Sequence, residues 1–193
     1  MDQHQIYEKD TEYNLQIQSL KKYTKKPLDV HLMIINPDND GIDHINTYSK
    51  GKTELGKLLT NFAHTPFVHP KYGEFQSVEG FWYFKKTGSI YPELKKLHGY
   101  KAKQIGQKLS PWSDAQDDIG LTEEFKEDIL EAIRLKLRQN PYIVKMMIDC
   151  DLPFEHYYAY GNKIQKLPEY KWIIDELERI RQASKVWYQN KYK

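Results

Sequence analysis

The sequence predicts a mainly α, single compact multi-helical domain, with a few short β-strands near the N-terminal half. Three observations lead there. In residues 122–139 Phe125, Ile129, Ile133 and Leu137 recur every four positions with Leu130 beside them, the apolar stripe of an amphipathic helix. From Ser77 onward the chain is punctuated by helix caps and prolines rather than by strand alternation. Runs with β-branched character come early, in "LDVHLMIIN" (28–36) and "IDHINTYS" (42–49).

Residues 1–27, around "LKKYTKKP", hold too few apolar side chains to specify a core element. Residues 1–40 therefore read as an N-terminal extension, with a strand at 28–36 available to pack on the core, and 41–190 as the domain itself. "PDNDG" after the first strand is a turn signal. Thr53 is placed to cap a short helix in "KTELGKLLTNF". "PFVHPKYGEF", with two prolines and a glycine, predicts loop and a short hairpin. Helices are then expected over 77–87, 91–98, 99–109, 122–139, 141–149 and 168–188. Thr122 caps the fourth of these, and Pro141 marks its end.

With 193 residues, 39% hydrophobic and 29% charged, the chain is long enough for one sizeable core. Its 15 Tyr and four Trp either fill that core or form walls around flat ligands. The formal net charge of +2 argues against a generic nucleic-acid coat, yet the charge is unevenly spread. Residues 85–108 carry seven Lys against Glu93, and residues 114–131 carry eight acids against Lys126. Such runs are solvated surface or, for the lysines, phosphate contacts. The polar start "MDQHQIYEKD" lacks the apolar core of a secretory signal, and no apolar run approaches the roughly 20 residues of a membrane span. A soluble, cytoplasmic protein with no membrane partner is expected.

Several chemistries find no support. "GKT" at 51–53 has Asn46 where a phosphate-binding loop needs its first glycine. His64 and His69 are five apart, a poor match to helical zinc spacing, and Cys150 is the only cysteine, so no metal site is expected. Cys150 follows "KMMI" and reads as a core thiol.

One stretch asks for more. "GEFQSVEGFWYFKKTG" (73–88) sets Glu79 among aromatic residues, and on a helix Glu79, Trp82, Tyr83 and Lys86 share one face. With Ser77 as N-cap, Glu79 is either an ordinary first-turn acid favoured by the helix dipole or part of an active-site wall.

"LLTNFAHTPF" (58–67), "QSVEGFWYFKK" (76–86), "KAKQIGQKL" (101–109), Trp112, "ILEAIRLKLRQNP" (129–141) and "YKWIIDELERIR" (170–181) follow one another in the order of a known motif series. Together they resemble the NADAR family, whose members act on N-glycosidic bonds of ADP-ribose or related ribosyl compounds. "INTYSKGKTELGKLLTNF" (45–62) is similar to one subgroup, and the likeness spans about residues 43–181. The sequence departs from the family pattern with Gly80 for its His, Tyr83 for its Gln, and Glu155 beside His156 for its second acid.

The resemblance implies a hydrolase with Glu79 as the catalytic carboxylate and Glu155 or His156 as its partner. It implies substrate contacts from Lys52, Asn61, Phe62, Trp82, Lys86, Lys103, Trp112 and Tyr158. The lysines would meet the diphosphate, Asn61 the ribose hydroxyls, and Trp112 the base or the ribose pocket. The residues taken alone leave surface lysines, a loop-forming Asn61 and a core Trp112 as alternatives. The implied chemistry calls for no metal or redox cofactor. The first expected substrate is an ADP-ribosylated nucleobase, guanine in DNA. A small ribosylamino metabolite, or ADP-ribose bound without hydrolysis, are the alternatives.

Overall fold

The computed structural model describes residues 35–110, 122–160 and 163–191. The expected arm at 1–27, all but the last two residues of the strand expected at 28–36, and Trp112 lie outside them. Within them the domain is mainly α, with helices α1 (Glu54–Leu59), α2 (Val78–Lys86), α3 (Gly99–Leu109), α4 (Glu123–Gln139), α5 (Pro141–Asp149) and α6 (Lys171–Lys191). Short strands pair in twos: β1 (Ile45–Asn46) with β4 (Phe154–Glu155) in parallel, β2 (Phe67–His69) with β3 (Gly73–Phe75), and β5 (Tyr157–Tyr160) with β6 (Lys163–Lys166), the last two antiparallel.

Local chemistry explains most boundaries. Thr53, Ser77 and Thr122 each have extended backbone and accept an amide N–H from the first turn of α1, α2 and α4 respectively. Pro141 opens α5, where its missing N–H is harmless. The helix expected over 91–98 is a single 3-10 turn, Pro92–Lys96, because Leu97 and His98 are already extended. The last helix begins at Lys171 after a 3-10 turn at Pro168–Tyr170. β4 and the β5–β6 hairpin were not foreseen. Phe154–Glu155 pair with the distant β1 and Tyr157–Tyr160 with the adjacent Lys163–Lys166, and both runs are too short to read alone.

α2 is the central element. Residues Val78 to Phe84 and Lys86 are all buried, so the helix has almost no solvent face. It packs on α3, α4 and the 92–96 turn. Phe81 meets Phe75 edge-on at 5.0 Å, and Trp82 meets Phe125 at 4.9 Å. Two glycines permit this packing. A Cβ on Gly106 would lie 2.0 Å from the Tyr83 ring, and one on Gly80 would lie 2.6 Å from the Leu94 carbonyl oxygen. Gly80 is thus the close approach of α2 to the 92–97 turn, with no room for a side chain.

Remote segments are tied by polar groups. His44 Nε2 and the Tyr157 hydroxyl are 2.7 Å apart, and the Asn46 amide bonds both the N–H and the carbonyl of Tyr157. Asp40 accepts the amides of Asn46 and Lys52 at 2.9 and 2.6 Å, closing the loop between β1 and α1. Arg181, buried on α6, donates to the carbonyls of Cys150 and Leu152 and stacks on Phe154 at 4.3 Å. Cys150 is half-buried against the core.

Gly80→Ala is expected to destabilise the fold by about 1–3 kcal/mol, because the added methyl meets backbone rather than a mobile side chain. Urea unfolding reads this directly. An unchanged midpoint would mean that the 92–97 turn can yield.

Candidate functional site

The described residues form a cavity of about 320 Å³ where six parts of the chain converge. The loop after β1 supplies Thr47 to Ser49, and the end of α1 supplies Leu59 to Phe62. α2 supplies Glu79, Trp82 and Tyr83, and α3 adds Lys103. His156 and Tyr158 come from the β4–β5 segment, with Glu169, Tyr170, Ile173 and Ile174 near the start of α6. The volume lies at the small end of ligand pockets, which are mostly apolar with a few placed polar groups.

Glu79 is both a first-turn acid of α2 and part of a cavity wall. Its backbone N–H donates to the Asn61 carbonyl at 2.8 Å, and it is only 8% exposed. A carboxylate buried there gains from the helix dipole, which offsets part of its desolvation. The Asn61 carbonyl is used in this way, while its side-chain amide has no protein hydrogen bond among the described residues. That amide faces a cavity in which it can both donate and accept.

His156 has its Nδ1 2.9 Å from the Thr47 carbonyl. A carbonyl only accepts, so Nδ1 carries the proton and Nε2 the lone pair. Burial pushes the His156 pKa below its ordinary value, against the Thr47 bond and the charge of Glu169. The ring is therefore neutral and basic at neutral pH. Burial, followed by the charges of Glu79, Tyr48, Tyr160 and Glu169, raises the Tyr158 hydroxyl. Both cavity carboxylates thus lie within electrostatic reach of that phenol, which stays a hydrogen-bond donor.

Lys136 supports the site from behind. It is fully buried on α4, and Nζ donates to the carbonyls of Leu58 at 2.6 Å and Thr60 at 2.9 Å. Those carbonyls end α1 just before Asn61 and Phe62. Desolvation lowers the amine to about 7, and the neutral form has two protons for the two carbonyls.

Of the residues singled out from the sequence, Glu79, Asn61, Phe62, Trp82, Lys103, His156 and Tyr158 come together at the cavity. Lys52, Lys86 and Glu155 do not line it. Lys52 turns outward to the Asp38 carbonyl and carboxylate, because Asp40 holds its backbone in the loop. Lys86, one turn beyond Tyr83, is buried with Nζ 5.7 Å from the Tyr83 ring centre. Glu155 pairs with Asn46 in the parallel ladder, and strand alternation brings its neighbour His156 to the cavity instead.

Sequence reasoning passed over Thr47, Tyr48, Ser49 and Glu169. Glu169 supplies a second cavity acid, and "LPEY" gives no local sign of it. Among the described residues no three His, Cys, Asp or Glu side chains are grouped to hold a metal ion. Comparison with known proteins returned no match to a family model, to a curated protein or to a solved structure.

The sign of the Lys136 effect is fixed by its lowered pKa. Below about pH 7 the amine is charged in both folded and unfolded chains, and its burial penalty is fully present. As pH rises from 7 toward the ordinary 10.5 the folded chain sheds that charge while the unfolded chain retains it, so stability should rise. Urea midpoints measured across this interval are expected to climb in the parent. Lys136→Met should lose the climb and cost about 1–3 kcal/mol through the two unpaired carbonyls.

Proposed function

We propose that the protein is an N-glycosidase acting on an ADP-ribosyl conjugate, with an ADP-ribosylated nucleobase, guanine in DNA, as its leading substrate. The observation that carries the reading is Glu79, a buried carboxylate on the wall of a cavity that also holds a neutral His156 and several aromatic faces. The motif series that resembles NADAR proteins supports the same assignment, and the cavity lining favours His156 over Glu155 as the partner of Glu79.

Cleaving an N-glycosidic bond builds positive charge on the anomeric carbon as the base departs with the bonding electrons. In this reading Glu79 stabilises that charge in a cavity of low polarity, where a fixed carboxylate counts for more than in water. His156 Nε2 accepts a proton from the water that attacks the anomeric carbon, and that proton passes by way of solvent to the departing base nitrogen, returning His156 to its neutral form. Asn61 holds ribose hydroxyls, and Trp82, Tyr83 and Tyr158 exclude water around the sugar and base.

The decisive experiment is release of free ADP-ribose from ADP-ribosylated guanine DNA. The parent should release it, and Glu79→Gln should lower the rate by at least about 100-fold while remaining folded. No release by a folded parent would remove this substrate. Turnover confined to free ribosyl compounds would move the activity to small metabolites.

The pH profile tests the second role. Because burial depresses His156, kcat/KM should reach half its maximum below pH 6.5 and stay level above. His156→Gln should lack that acid limb. A limb above neutrality would contradict the assignment.

A further inference from the structure

We propose that the open groove beside the cavity binds single-stranded polynucleotide on the flank of the nucleotide being processed. Its placement relative to a reacting base rests on the glycosidase reading. The groove itself does not.

The groove has a volume of about 640 Å³, larger than the cavity, and the two share Tyr48, Phe62, Lys103 and Tyr158 as a common wall. Beyond that wall it is lined by Lys50, Lys57, Tyr100 and Tyr160, none of which reaches the cavity. Glu79 and Glu169 line the cavity together with Lys103, whereas among the described residues no Asp or Glu lines the groove.

Lys85, Lys145 and Lys171 each sit against a carboxylate, at 2.9, 2.7 and 2.5 Å. Among the described residues Lys50, Lys57 and Lys103, like the exposed Lys96, Lys101, Lys108, Lys163 and Lys166, lack a side-chain partner, and the groove gathers the first three into one concavity. Three cations lining one concavity with no acid among the described lining residues call for a polyanion. α3 also begins there, with no acid in its first turn to cancel the positive end of its dipole.

The rings choose the kind of polyanion. Tyr100 and Tyr160 are 70% and 59% exposed, and Tyr160 meets Tyr158 edge-on at 6.2 Å, so a line of aromatic rings runs from the cavity wall outward. Exposed rings beside unpaired lysines match the way a single strand is held, its bases stacked on aromatics and its phosphates on cations. A duplex keeps its base faces stacked inside and offers them nothing. A free ribosyl compound seated in the cavity has no further bases to present to Tyr100 and Tyr160.

The test is fluorescence anisotropy with a labelled, unmodified oligothymidylate and the full chain across a salt series, with free ADP-ribose titrated separately. Three phosphate contacts predict a log–log salt slope of about −2 in the parent, at about 0.7 per phosphate. Lys50→Gln with Lys57→Gln should make the slope shallower by about 1.4. Tyr100→Ala with Tyr160→Ala should weaken binding at least about tenfold and leave the slope in place. All four positions are exposed, and matching unfolding midpoints will confirm that the variants fold. ADP-ribose affinity should not change.

Absence of oligonucleotide binding by the parent at low salt would overturn the proposal, as would binding that neither pair alters. A fall in ADP-ribose affinity in the lysine pair would also overturn it, because the groove would then hold the diphosphate of a small ligand. Glu79→Gln separates the two readings. A parent that binds oligonucleotide through these residues yet releases no ADP-ribose from the modified DNA removes that substrate and keeps the groove, whereas release that depends on Glu79 without oligonucleotide binding keeps the glycosidase and sinks the groove.

Discussion

Two rungs of parallel strand decide whether this protein has a site at all. Ile45 and Asn46 pair with Phe154 and Glu155, more than 100 residues away, and the Thr47 amide and hydroxyl extend the ladder to the Glu155 carbonyl. So short a ladder is weak by itself. It persists because polar groups on either side hold its register: His44 on the Tyr157 hydroxyl, Asn46 on the Tyr157 backbone, and Arg181 beneath Phe154. Slipping it by one residue would turn His156 away from the cavity and bring Glu155 in. Every cavity group from residues 47–49 and 156–158 depends on that register.

The second half of the wall is set by α2 and what it rests on. A helix buried on nearly all sides cannot shift without repacking Phe81, Trp82 and Tyr83 together. Its first turn is joined to the end of α1 through the Asn61 carbonyl, and Lys136 holds that end through the carbonyls on either side of Leu59. Glu79, Asn61 and Lys136 thus form one mechanical unit. The unit fixes the Glu79 carboxylate at the cavity wall.

Electrostatics grade along the surface in step with this architecture. The cavity has its acids and a neutral imidazole where the chain is most enclosed, and the unpaired lysines begin where it opens. Tyr158 and Lys103 stand at the boundary and belong to both. The lysine-rich character of residues 85–108 was visible in composition, but only part of it serves this surface. Lys85 is consumed by Asp128, Lys95 by the Tyr72 carbonyl, and Lys86 is buried, leaving Lys103 as the contribution of that run to the cavity.

The sequence by itself determined most of the helices, because capping residues, prolines and the four-residue apolar period act over one or two turns; 91–98, where only a 3-10 turn forms, is the exception. Thr53, Ser77, Thr122 and Pro141 mark their elements correctly from local chemistry alone, and the 67–75 hairpin follows from its glycine and prolines. It also singled out Glu79, since a lone acid in an aromatic helix is conspicuous at any level. Tertiary structure alone decided which neighbours Glu79 has. The choice of His156 over Glu155 is a matter of strand register, the inclusion of Glu169 a matter of where α6 docks, and the outward turn of Lys52 a matter of Asp40. Each of these depends on contacts between segments far apart in the chain, and no local pattern of residues encodes the distance between them.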